Sequence, residues 1–168
     1  MGKVATHETP GDRRQPMIDN EDVQTAGFTT SPWNRAGIAT LHVTGRNIPS
    51  VLEAGLRAVL ALAVAPPQTP IDTGRSVPIN GEGDDLESLF GDLVEDLLSQ
   101  IEFFGAGLHD VVIDGVLHRE HGGYVGWGHA SGILDAGPQV AVPRLLGTPT
   151  VSQGAEPGIL LTASLQRH

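Results

Sequence analysis

The densest group of side chains capable of chemistry is the run His-Arg-Glu-His at 118–121, and His109 and His129 lie on either side of it. Imidazole nitrogens and carboxylate oxygens are ligands that zinc accepts. If segments 109–118 and 122–129 pair as a hairpin, several of these groups would meet. His118, His121 and His129 are therefore one candidate metal site, in a small metal-dependent enzyme. The alternative is a polar turn between strands, because the two glycines that follow do not favour the helix of a metal-binding His pair.

Asp110 and Asp114 form the other spaced pair of carboxylates in this region. On a strand, residues four apart point to the same face, so the two side chains are candidates for acid–base chemistry or for a divalent cation. The alternative is simple solvent exposure, which is usual for aspartate. Ser131 lies one place too late for a Gly-x-Ser-x-Gly turn, so the pattern does not indicate a serine nucleophile.

The charge balance excludes several classes of partner. The chain has 20 Asp and Glu against 10 Lys and Arg, and no basic side chain lies between Arg75 and Arg119. Such a surface repels a phosphate backbone, so we expect no direct binding of nucleic acid, whereas a basic protein remains an acceptable partner. There is no cysteine and no apolar run of membrane-spanning length. We therefore expect a cytoplasmic protein that does not enter the membrane.

The strongest element pattern is a helix over 85–101. Its apolar residues recur at i, i+3, i+4, i+7 and i+8, which is the spacing of one buried helical face, and Asp84 or Asp85 can cap its start. The opposite face carries Asp92, Glu95 and Asp96. These three residues are candidates for binding a partner, and the alternative is a solvated acidic face.

The remaining elements indicate a single domain at 32–168 after a flexible polar tail at 1–31. A first strand is predicted at 36–45, a helix over 51–63 with Ser50 as its N-cap, and a short strand at 75–80. After the acidic helix, strands are predicted at 111–117, 122–129, 139–143, 149–151 and 158–165. The order predicts a two-layer α+β fold, with two helices packed on one face of a mixed or antiparallel β-sheet.

This order, and above all the second helix, resembles the archease family. Members have a helix of the form Asp-Leu-Glu-x-Leu-Leu-x-x-Trp-Leu-Asn-Glu-Leu-Leu. Residues 85–98 here read Asp-Leu-Glu-Ser-Leu-Phe-Gly-Asp-Leu-Val-Glu-Asp-Leu-Leu, which aligns without a gap. A looser counterpart of the family's Val-Lys-Ala-Val-Thr-Tyr-His-Gly-Leu is Val-Ala-Val-Pro-Arg-Leu-Leu-Gly-Thr at 140–148. The likeness runs from about Ala36 to the C-terminus.

The resemblance implies a small α+β protein that is not itself an enzyme and that assists an RNA-splicing ligase, with acidic residues that bind a divalent cation such as calcium. The family's two metal-binding aspartates fall on Ile38 and near Ser164, its lysine on Ala141 and its histidine near Leu146. Isoleucine, alanine and serine do not supply the carboxylate oxygens of a hard-cation site. We therefore expect a divergent member whose fold is kept and whose cation site is degenerate.

An alternative keeps the ligase-activating role with a rearranged cation site. The carboxylates available for it are Asp110, Asp114 and the pair Asp84–Asp85. In either case the expected partner is a basic protein such as an RNA ligase.

Overall fold

A computed structural model of the protein describes residues 26–64, 75–133, 141–153 and 158–167. Its elements, in chain order, are β1 (Gly27–Thr30), β2 (Ile38–Gly45), α1 (Ile48–Ala63), β3 (Arg75–Gly83), α2 (Leu86–Phe104), β4 (Leu108–His118), β5 (Tyr124–Gly132), β6 (Arg144–Gln153) and β7 (Ile159–Gln166). A 3-10 turn at Gly105–Gly107 joins α2 to β4. The α+β class expected from the sequence is confirmed.

The strands form two antiparallel sheets, so the prediction of a single sheet is wrong. One has four strands in the order β1-β2-β7-β6, and the other has three in the order β3-β5-β4. Both helices contact both sheets: α1 packs on β1, β2 and β7 and also on β4, whereas α2 packs on β3 and β5 and also on β6. Because the helices bridge the sheets, one continuous core contains buried residues from the helices and from both sheets.

Helix α1 begins before the predicted cap. Asn47 is the N-cap: its side chain accepts a hydrogen bond from the Ser50 backbone N–H (2.9 Å), and the Asn47 N–H donates to the Ser50 hydroxyl (3.3 Å). Ser50 is therefore the third helical residue and not the cap. Proline is favoured in the first turn of a helix, where no backbone donor is needed, so Pro49 marks the start of α1 and does not precede it.

Helix α2 closely follows the predicted pattern. Its apolar stripe is buried: Leu89, Phe90, Leu93, Leu97 and Ile101 all have no exposed surface. The stripe matches the period of the sequence pattern because an amphipathic helix in a small domain must direct one face to the core.

Two predictions are corrected, the tail at 1–31 and the strand at 139–143. The predicted tail at 1–31 contains β1, whose backbone pairs with β2 from Gly27 opposite Thr44 to Thr30 opposite Leu41. The strand is short and has little apolar pattern, so the sequence gives no signal for it. It is a strand because its backbone pairs with β2. Residues 1–25 lie outside the described part. In the predicted strand at 139–143, residues 141–143 have no regular secondary structure, and residues 139–140 lie outside the described part. The predicted strand at 149–151 lies within β6.

Within the described ranges, none of the helices is both long enough and apolar enough to cross a lipid bilayer.

Candidate functional site

The histidines predicted as a metal site do not converge. His118 ends β4 and stacks its ring on Tyr124, with the ring centroids 4.6 Å apart. His121 is exposed in the turn that follows, and the ring of His129 on β5 contacts Asp114 instead. Among the residues that the structure describes, no three His, Cys, Asp or Glu side chains are placed to hold a metal ion. The alternative interpretation, a polar turn between paired strands, describes residues 118–124.

Asp114 lies in a β-bulge that points its carboxylate at His129. The register of β4 against β5 shifts between Ile113 and Gly115, so Asp114 is the extra residue. Its Oδ2 lies 2.9 Å from Nδ1 of His129, and the side chains of Asp114 and His129 are 45% and 39% exposed. Trp127 lies over Gly115 beside this pair, so close that a side chain at Gly115 would collide with the indole. The pair is an exposed surface contact, and such contacts contribute little stability.

Asp110 forms an ion pair with Arg57, a residue for which the sequence predicted no role. Nε of Arg57 on α1 lies 3.0 Å from Oδ1 of Asp110, and Nη1 of the same guanidinium lies 3.1 Å from Glu53. Glu53 in turn accepts a hydrogen bond of 2.8 Å from the backbone N–H of Ile113. This network joins α1 to β4, which is an edge strand, so Asp110 serves the contact between a helix and a sheet.

Asp92 and Asp96 make the equivalent contact at the opposite edge of the three-stranded sheet. The backbone N–H of Glu82 donates to Oδ2 of Asp92 (2.8 Å), and that of Asn80 donates to Oδ2 of Asp96 (2.7 Å). Four residues of helix rise about 6 Å and two residues of strand about 6.6 Å, so the two spacings match. Two of the three predicted partner-binding residues thus accept hydrogen bonds from the backbone N–H groups at the free edge of β3, which would otherwise be unpaired.

Sequence reasoning could not find these two contacts, because they need the packing of helix on strand edge. The available signal was only that Asp92 and Asp96 lie four residues apart on one face of α2. The same spacing fits a solvated acidic face, which was the alternative interpretation.

Glu95, the third predicted partner-binding residue, stays exposed and lines two open grooves along α2. The first has a volume of about 410 Å³ and lies between α2 and the segment 141–145 that enters β6. The second, of about 380 Å³, lies on the β3 side and is lined by Asn80, Asp92, Glu95, Asp96 and Ser99. Glu95 and Ser99 separate the two grooves.

The hydrogen bonds at the start of α2 shift the pKa of its capping carboxylate. Asp85, and not Asp84, accepts a hydrogen bond of 2.8 Å from the Ser88 backbone N–H. That bond, supported by the Ser88 hydroxyl, holds the pKa of Asp85 below its usual range. The carboxylate is therefore engaged in capping the helix.

Ile38 and Ser164, the positions that the resemblance aligns with the family's metal-binding aspartates, lie on the paired strands β2 and β7. Ile38 pairs with Gln166, and two residues further on, Thr40 pairs with Ser164 across the same two strands. The two hydroxyls lie 3.2 Å apart and share a hydrogen bond. Leu146 lies opposite Ser164 on β6. Two neutral hydroxyls do not replace the carboxylates that a hard cation requires.

Comparison with known proteins identifies the fold and goes no further. No protein-family model matches the chain, and no curated protein matches it. Among solved structures, it is similar to the solution structure of protein 1598 from Methanobacterium thermoautotrophicum. The TM-score is 0.61 and the sequence identity is 14%, over 83% of this chain and 98% of that one. The chain therefore has the same fold as that protein, with two helices and two antiparallel sheets.

Proposed function

We propose that this chain is an archease-like accessory protein, which binds a basic protein partner such as an RNA ligase and is not itself an enzyme. The observation that carries the proposal is helix α2. It aligns without a gap with the family's most specific helix and departs from it at Leu93, where tryptophan is usual, and at Glu95, where asparagine is usual. The helix packs against both sheets of a fold that 83% of this chain shares with a solved structure. Its cap, Asp85, is the aspartate that begins the family pattern.

Buried polar groups are sparse among the described residues, which supports a non-enzymatic role. The buried side-chain atom without a hydrogen-bond partner in these ranges is Nε2 of His109, a residue that is itself only partly buried. No buried residue in the described ranges is polar or charged.

The proposed role does not include activation through a cation at the family's position. Thr40 and Ser164 hydrogen-bond to each other there, and Ile38 and Ala141 have no side-chain oxygen or nitrogen. The chain is thus proposed to keep the binding function and to lack the cation-dependent step.

The rearranged cation site has no support from the geometry of the carboxylates assigned to it. Asp110 pairs with Arg57, Asp114 with His129, and Asp85 caps α2. The metal-dependent enzyme based on His118, His121 and His129 has none either, because those rings do not form a ligand set.

The test uses the purified chain and an RNA ligase from the same source. Binding is measured by titration of the ligase, and ligase guanylation is measured with and without the chain over a range of calcium and manganese concentrations. We expect saturable binding without cation-dependent stimulation of guanylation. Absence of any binding would overturn the proposal.

Calorimetric titration of the chain alone with calcium and manganese tests the degenerate site. We expect no micromolar binding. Tight binding that is lost in a Ser164→Ala variant would show that the family position still holds a cation, and would restore the activating role.

A further inference from the structure

The groove between α2 and segment 141–145 is lined by both apolar and polar side chains, with two glutamates on its helix side. Leu98, Val142, Pro143 and Leu145 provide the apolar surface. Leu98 and Pro143 are buried, whereas Val142 and Leu145 are partly exposed. Partly exposed apolar side chains in a concave site are the usual features of a ligand or peptide groove.

The rim is formed by two glutamates that have no hydrogen-bond or ion-pair partner in the described part of the chain. Glu95 and Glu102 are exposed and lie on the helix side of the groove. They are seven residues apart, which is two helical turns, so they share one face of α2 with their backbones about 10 Å apart. Neither carboxylate makes a hydrogen bond or ion pair with a described residue, in contrast with Asp92 and Asp96 on the same helix.

The groove continues an acidic surface. Glu95 and Ser99 also line the neighbouring groove, where Asp92 and Asp96 add two further carboxylates. Ten acidic residues and no basic one lie between residues 82 and 114. A field of one sign over a concave site attracts ligands of the opposite sign.

We propose that this groove binds a short cationic segment of a partner protein, with an apolar side chain on the groove floor and basic groups at Glu95 and Glu102. This inference rests on the proposed function, because it gives the accessory protein the surface through which it binds. The acidic rim excludes RNA as the occupant, since phosphates would be repelled. Arg144 also lines the groove and is exposed, so it opposes a cationic ligand at one end.

The test measures binding of a labelled peptide by fluorescence anisotropy. The peptide has two lysines about 10 Å apart around a central leucine, and the control peptide has glutamates in place of the lysines. We expect the lysine peptide to bind and the glutamate peptide not to bind. Two exposed ion pairs imply that Glu95→Gln with Glu102→Gln weakens binding about 3- to 10-fold, whereas Arg144→Gln strengthens it.

The matched control is the double variant Asp84→Asn with Glu120→Gln. It changes the net charge by the same amount at two exposed residues that do not line the groove. It should leave the affinity unchanged at physiological salt, since distant surface charges are screened. A third variant, Ala141→Trp, places a bulky side chain at an exposed lining residue and should abolish binding.

Equal effects of the groove and control variants, or full binding by Ala141→Trp, would overturn the proposal. A solution dimer that Ala141→Trp dissociates would also overturn it, because the occupant would then be a second copy of the chain. The same variants are titrated with the ligase. Ligase binding that no groove variant alters refutes the groove and leaves the proposed function, whereas peptide binding without ligase binding refutes only the ligase.

Discussion

Removing both carboxylates that contact the edge of β3 should destabilise the domain. In the double variant Asp92→Ala with Asp96→Ala, the backbone N–H groups of Glu82 and Asn80 lose their acceptors at 2.8 and 2.7 Å. Because β3 is an edge strand of its sheet, no neighbouring strand in the described structure can take over these donors. Water replaces the carboxylates, and α2 loses two of its links to β3.

The size of the effect follows from two opposing contributions. A hydrogen bond with a charged partner contributes about 1.5–3 kcal/mol, and the lower value applies here because both sites are reached by water. Alanine is the better helix former by roughly 0.5 kcal/mol at each position, which offsets part of the loss. The net loss in the free energy of unfolding is therefore about 2 kcal/mol, or a decrease of about 4–8 °C in Tm for a domain of this size.

Urea unfolding followed by circular dichroism measures this loss, and Glu95→Ala is the matched control. Glu95 lies on the same face of α2 and has no partner among the described residues, so its removal should change stability by less than about 0.5 kcal/mol. Light scattering should also show that the double variant associates more readily, since it opens a strand edge. If the double variant and Glu95→Ala unfold at the same urea concentration, the edge contacts do not stabilise the fold.

Three further predictions concern the helices. Leu93→Asp should unfold the domain or cost several kcal/mol, because Leu93 has no exposed surface and the charge would be unpaired; the thermal melt of the purified variant checks this. Gly91→Ala should stabilise α2 by about 1 kcal/mol, since the added carbon makes only an ordinary contact at 3.6 Å. Gly55→Ala in α1 should destabilise the domain, since the added carbon would lie 2.6 Å from the ring of the buried Phe90. The two variants should therefore shift the urea midpoint in opposite directions, and equal shifts would refute the packing. Asp85→Ala should lower Tm at neutral pH but not in acid. The backbone N–H of Ser88 holds the pKa of Asp85 in the folded chain below its usual range. The stabilisation is therefore present above the pKa of the same group in the unfolded chain, about 4, and is lost as the pH falls through the folded pKa. Thermal melts from about pH 7 to pH 2 follow that loss, and a difference in Tm that persists in acid would contradict it.

The sequence alone determined the two helices and the α+β class. The apolar stripe of α2 repeats with the helical period over four turns, and the same residues are buried in the structure. Local signals of this kind are sufficient because the period of a pattern depends only on neighbouring residues. The likeness of α2 to the family helix came from the same stretch.

Only the tertiary structure decided how the strands divide into two sheets and what the acidic residues do. Strand pairing joins residues far apart in the chain, such as Ile38 and Gln166, and no local pattern encodes that choice. Asp92, Glu95 and Asp96 are indistinguishable in sequence as acids on one helical face. The edge of β3 passes beside two of them, which become structural acceptors, and leaves Glu95 exposed at the rim of a groove. The role of a surface carboxylate thus depends on which backbone donors the fold brings within about 3 Å of it, and that is a property of packing.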